Sequence, residues 1–146
     1  MIKKKKATIV KAKKVIKRKS KLTEMQKQTW LGQKEIRAAM KEINKGTKLL
    51  GLNTRPLVFK ADAFTDGSSR WYEARIKRKD MELISFSIEI APKGYVCYTH
   101  FSNEEESIKG KRIYKTLADA IIACNYKWNQ IITPFIYSYS EMSDLD

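Results

Sequence analysis

Between residues 22 and 46 apolar side chains recur at helical spacing. Ile36, Met40 and Ile43 form a stripe with Ala39 beside it, while Lys34, Glu35, Arg37, Lys41, Glu42 and Lys45 take the other side. That is the pattern of a half-buried helix. Thr23 followed three residues later by Gln26 has capping-box spacing, and Gly46 is a natural C-terminal stop. Gly32 weakens the middle of this helix. Trp30 and Leu31 lie off the stripe. They are better read as a second packing contact with the body than as exposed stacking groups.

After a connection through Gly51, Asn53 and Pro56 the period changes to two. Residues 57–64 read as a strand closed by the turn Thr65-Asp66-Gly67-Ser68-Ser69. Residues 70–79 alternate clearly: Tyr72, Ala74 and Ile76 point one way, and Trp71, Glu73, Arg75, Lys77 and Lys79 the other. A turn at 80–82 leads to a third strand with Ile84, Phe86, Ile88 and Ile90 on its apolar face. Pro92-Lys93-Gly94 turns into a fourth strand, 95–101, whose facing is ambiguous because both sides carry aromatics. Residues 102–109 read as a loop. Thr116-Leu117-Ala118-Asp119 opens the last helix as a capping box, with Leu117, Ala120, Ile121, Cys124 and Trp128 as its buried stripe and Thr133-Pro134 as its stop. The expected fold is α+β: an N-terminal helix, a three- to four-stranded antiparallel sheet and a C-terminal helix. It forms one domain over residues 22–137, followed by an acidic tail, 138–146, expected to fray.

Charge changes this picture at one end only. The chain carries 30 Lys plus Arg against 16 Asp plus Glu, a net charge of +14. Lys3, Lys4, Lys5, Lys6, Lys11, Lys13, Lys14, Lys17, Arg18, Lys19 and Lys21 supply +11 of it within residues 1–21, which hold no carboxylate. Packed cations repel one another and cannot enter a core, so a disordered basic arm is expected, with a polyanion as its partner. Nucleic acid ranks first, ribosomal or protein polyanions second and an anionic membrane last, and a nuclear-targeting signal has a similar composition. Two cysteines, Cys97 and Cys124, are too few for a disulfide framework and suggest a reducing compartment. No apolar run approaches the ~18 residues of a membrane span, and no signal-peptide core follows the lysines. A soluble cytoplasmic protein, associated with nucleoid or ribosome, is the expectation. The Lys, Ile, Asn and Tyr bias fits an AT-rich genome such as a phage or its host.

Catalytic chemistry is hard to assemble. His100 is the single histidine, and Cys97, three residues before it on a strand, faces the opposite side, so one metal ion cannot be held by both. Lys109-Gly110-Lys111 lacks the flanking residues of a phosphate loop, and Glu104-Glu105-Glu106 reads as a solvated loop. No enzyme activity, metal or cofactor is expected. The outer face of the second strand has more content. Trp71, Arg75, Lys77 and Lys79 stand in a row, with Tyr95 or Phe101 nearby on the fourth strand. Rings beside cations on an open sheet stack bases and hold phosphates. The competing reading is that the first helix covers this face and Trp71 is core.

Tyr72-Glu73-Ala74-Arg75-Ile76 resembles the aromatic-x-Ala-x-Ile strand of AP2-type and integrase arm-type DNA-binding domains. Tyr114-Lys115-Thr116-Leu117-Ala118-Asp119-Ala120 resembles the opening of their single helix. The likeness covers residues 70–128. It implies a three-stranded sheet set in the DNA major groove with the helix behind, and Arg75 and Lys77 as groove-facing residues. The segment 80–112 is longer than the hairpin of that family, and its glycine before the helix is missing. The sequence thus points to a small, sequence-tolerant nucleic-acid-binding protein whose arm supplies affinity and whose sheet supplies placement. The alternative is a protein-interaction module, such as a phage factor docking on host transcription or translation machinery. An unpaired edge strand could also support a homodimer.

Overall fold

A computed structural model of the chain describes residues 22–46, 49, 52 and 55–144, with 135–144 as helical backbone only. The basic arm assigned to 1–21, with all eleven of its cationic side chains, lies outside the described residues. So do Gly51 and Asn53 of the first connection and residues 145–146 of the acidic tail.

The element order is α1 (Glu24–Lys45), β1 (Lys60–Ala63), β2 (Arg70–Arg78), β3 (Met81–Ala91), β4 (Gly94–Phe101), β5 (Ile108–Tyr114) and α2 (Leu117–Asp144). The five strands form one antiparallel meander in the order β1-β2-β3-β4-β5. Both helices lie on the same side of it: α1 packs chiefly on β1, and α2 on β3, β4 and β5. The result is α+β, with one more strand than the pattern of the sequence announces.

Local chemistry explains most of the boundaries. Thr23 Oγ1 accepts from the Gln26 amide at 3.1 Å and Gln26 Oε1 accepts from the Thr23 amide at 3.0 Å, closing the capping box of α1. The Gly46 amide donates back to Glu42 and Ile43 carbonyls and ends the helix. At the start of α2 the Asp119 amide donates to Thr116 Oγ1 at 3.1 Å. In the β1–β2 turn Asp66 Oδ1 accepts from the Ser68 amide, which holds its carboxyl below the ordinary range, and Gly67 takes a φ of 74°.

The core lies between helices and sheet. Tyr72, Ala74, Ile84, Phe86 and Ile88 face Ile36, Ala39 and Ile43 of α1 and Leu117, Ala120, Ile121 and Cys124 of α2. Two contacts fix the helices. Gly32 lets α1 approach β1 so closely that a Cβ there would collide with Ala61 Cβ, so the residue that weakens the helix locally is what seats it. Asn125, fully buried, accepts from the Leu57 amide at 2.8 Å and donates to the Ile121 carbonyl at 2.9 Å. It ties the extended segment before β1 to α2 and satisfies an amide that a short strand leaves over. Arg70 reaches inward from β2 to Glu35 and Gln28 of α1 at 2.7 and 2.8 Å.

Several expectations are corrected. The first strand is shorter, Lys60–Ala63, although Leu57 and Phe59 ahead of it are buried. β2 ends at Arg78, and Lys79 sits in the hairpin turn at φ 56°, so the turn is Lys79-Asp80 and β3 already begins at Met81. The loop expected over 102–109 ends earlier, because β5 begins at Ile108; this strand has no alternation to show, six of its seven residues being exposed and several cationic. Charged, bulged strands are how sheet edges resist pairing with other sheets. Pro134 does not stop α2. The helix runs through it to Asp144 and so into the stretch read as a tail. Proline leaves the Gln130 carbonyl without its helical donor and the helix continues regardless; one residue earlier the Thr133 hydroxyl donates to the Asn129 carbonyl. Trp30 is 54% exposed, with Lys34 Nζ 5.0 Å from its ring centroid, and is not the packing contact expected of it.

Gly32→Ala normally favours a helix by about 1 kcal/mol, but here overpacking against Ala61 reverses the sign, with a net loss of about 1–3 kcal/mol in denaturant unfolding. The Tyr72 hydroxyl is buried without a well-formed hydrogen bond, and burial pushes its phenol above the ordinary value of 10.0, with the Glu35 carboxylate adding to the shift. A folded value above the unfolded one means that this contribution is complete below pH ~10 and fades as the pH climbs past it. Tyr72→Phe should therefore soften the alkaline loss of stability seen in a pH series of melts, and at neutral pH it should be neutral or stabilising by about 1 kcal/mol.

Candidate nucleic-acid interface

With both helices on one side, no described element packs on the other face of the sheet. Strand alternation decides which residues it carries, and the register sets them in cross-strand rows. One row runs Asp62, Trp71, Glu89, Val96, Ile113; the next Lys60, Glu73, Ser87, Tyr98, Lys109; a third Arg75, Ser85, His100. The central strand contributes two serines in the middle of the face. Its neighbours contribute Trp71, Glu73 and Arg75 on one side and Tyr98 and His100 on the other. The middle of the face is therefore small and polar, flanked by rings and by charges of both signs.

Trp71 is half-buried on this face, its ring 5.0 Å from that of Phe64 and tilted by 59°. Phe64 itself is 54% exposed. The two rings border a shallow cavity of about 480 Å³ that Ser87 and Glu89 also line. The reading in which α1 covers Trp71 does not hold among the described residues. Arg75 is half exposed and leans on Glu73, its Nη2 and Nε at 2.9 and 3.2 Å from one carboxylate oxygen. Such a surface pair contributes under about 1 kcal/mol and is readily exchanged for another anion. Lys77 lies on the same face, where it lines a cavity of about 550 Å³ with Lys60 and Arg75. Lys79 does not join the row, because a residue in the left-handed region of a hairpin turn has left the strand alternation.

The aromatic expected from the fourth strand is also different. Tyr95 and Phe101 turn inward and pack against the core, and the outer aromatic is Tyr98. Desolvation, followed by the nearby Glu89 carboxylate, pushes the Tyr98 phenol above its ordinary range. His100 is outward as well, its Nε2 2.9 Å from the Glu104 carbonyl, which ties the acidic loop to the sheet, while Cys97 faces α2. Tyr98 and Lys109 join the open face in the row next to that of Trp71. The alternation of β4 sets Tyr98 opposite to Tyr95 and Phe101, and Lys109 is placed only by the register of β5 on β4.

The face carries both signs, Lys60, Arg75, Lys77 and Lys109 against Asp62, Glu73 and Glu89. It can stack and orient a polyanion, but it is not strongly cationic. Among the described residues no group of three or more His, Cys, Asp or Glu is placed to hold a metal ion, and no helix is long and apolar enough to cross a membrane. A double-mutant cycle on Phe64→Ala and Trp71→Ala should leave both single variants folded by circular dichroism and return a coupling of about 0.5–1.5 kcal/mol, the worth of a tilted aromatic pair beyond its burial. No protein-family model matches this sequence, and no curated protein or solved structure matches it either.

Proposed function

We propose that the chain is a nucleic-acid-binding protein in which the basic arm supplies most of the affinity and the open sheet face positions the bound strand. The observation that carries this reading is the partition of charge: +11 of the net +14 lies in residues 1–21, in a run without a single carboxylate. Phosphates with condensed counterions are the polyanion such a run suits, because each neutralised phosphate releases a counterion. The sheet face has the complementary character. Trp71, Phe64 and Tyr98 offer rings to bases, and Arg75 and Lys77 offer cations to the backbone between them. The near balance of charge on that face is why the arm is assigned the affinity.

The resemblance to AP2-type and integrase arm-type domains supports the same reading. In those domains a sheet lies in the groove with a helix behind it, and the resemblance would make Arg75 and Lys77 the groove-facing residues. A protein-docking role is the rival, and the apolar lip formed by Phe64 beside Trp71 is the feature that favours it.

Anisotropy titrations of the full chain with single- and double-stranded DNA and RNA at two salt concentrations test the proposal. If six to ten cations engage, affinity falls by about three to five orders of magnitude between 50 and 200 mM salt. Deleting residues 1–21 should weaken binding strongly and flatten that slope. Trp71→Ala should weaken single-strand binding by about 1–3 kcal/mol with the fold intact. Affinity unchanged by the deletion would overturn the arm's role, and retention on a protein partner after nuclease treatment, without any nucleic-acid binding, would establish the rival.

A further inference from the structure

The two cysteines, which the proposed function does not use, meet in the fold. Cys97 lies on the inward side of β4 and Cys124 on the facing side of α2, and both border one groove. Cys97 Sγ also lies 3.6 Å from the Ala120 carbonyl. Cys124 is buried, whereas Cys97 is only partly so.

A groove of about 450 Å³ opens beside them, between β5 and α2. Cys97 and Cys124 lie among its lining groups, together with Lys109, Lys111 and Lys127, and none of its lining residues is acidic. β5 is irregular at this point. Its residues between Lys109 and Ile113 oppose only Cys97 in the register, and Gly110 passes so near the Cys97 carbonyl that a Cβ there would stand 3.0 Å from it. The bulge interrupts the ladder opposite Cys97, and a residue without a side chain suits the close pass.

We propose that Cys97 is a thiol-modification site for small anionic disulfides of the oxidised-glutathione class, with Cys124 as the resolving thiol. The lysine rim recruits the carboxylates of such a ligand, and the groove has the size of a small-ligand site. Cys97 is the partly exposed thiol and Cys124 the buried one, which assigns attack to Cys97; the Cys124 thiol beside it also holds Cys97 below its ordinary range, and the Cys97 thiol together with burial works against ionising Cys124. Cys97 Sγ attacks one sulfur of the ligand; the new S–S bond forms as the ligand's own breaks, and the departing thiolate takes up the proton that Cys97 released. Cys124 Sγ then attacks Cys97 Sγ and expels the second thiol. Two protein thiols are oxidised and one disulfide is reduced to two thiols, leaving β4 tethered to α2.

The test incubates the full chain in low salt with oxidised glutathione or with the uncharged bis(2-hydroxyethyl) disulfide, followed by intact and peptide mass spectrometry. The native chain should lose two hydrogens and yield a Cys97–Cys124 linked peptide. Cys124→Ala should accumulate a mixed disulfide on Cys97. The anionic reagent should react about tenfold faster than the neutral one, the scale expected of electrostatic focusing, and Lys109→Gln, Lys111→Gln and Lys127→Gln combined should erase the difference. A native chain that keeps both thiols, first modification at Cys124, or equal rates with the two reagents would overturn the proposal. The native-chain peptide map and the two-reagent comparison need no variant, so they stand even if a cysteine substitution unfolds the domain.

Discussion

The burial of one face of the sheet beneath two helices is the constraint on which the rest of this structure depends. Neither helix could be stable alone in water, since each owes its stability to an apolar stripe that must be covered. The sheet offers one apolar face, built from Tyr72, Ala74, Ile84, Phe86 and Ile88, and both helices compete for it. They fit side by side because α1 comes in close at Gly32, where Ala61 needs the space, and because Asn125 of α2 takes the loose backbone amide of Leu57. Larger residues at the first position, or an apolar one at the second, would push the helices apart or strand an amide in the core.

Because the helices share one side, the opposite face is left to alternation alone. Every residue that points away from the core on β2, β3 and β4 lands there, and their character follows from the same period-two pattern that builds the core. This is how Trp71, Arg75, Ser85, Ser87, Tyr98 and His100 come to share a surface although they are spread over thirty positions of sequence. In the proposed function this surface is a platform and the arm is the source of attraction. Rings and serines set out in rows are suited to placing a strand. A lysine-rich segment with no acidic neighbours is suited to finding one.

Much of the fold was legible in the chain. The capping box at Thr23, the stop at Gly46, the stripe of α1 and the alternation of β2 and β3 are strong local signals, and tertiary packing agreed with them. Legibility failed where tertiary context outweighed local pattern. β5 is an edge strand of exposed, charged residues, so nothing in its own composition separates it from a loop. Pro134 is a stop signal that a long packed helix absorbs. The inward turn of Tyr95 and Phe101 could not be chosen from β4 alone, because both of its faces are aromatic. For the candidate site, Trp71, Arg75 and Lys77 were visible from strand alternation. Tyr98 and Lys109 were not, because they join the face only through cross-strand register, and Lys79 was misplaced because a hairpin turn takes it out of the strand.

A nucleic acid received by the open face and the arm together would be seen in backbone amide chemical shifts, followed while a short oligonucleotide is added to the full chain. The largest changes should fall on residues 1–21 and on the outward positions Trp71, Arg75, Ser87 and Tyr98, with the inward residues of α1 and α2 little moved. Changes confined to the helices, or none at any oligonucleotide concentration in low salt, would contradict this reading.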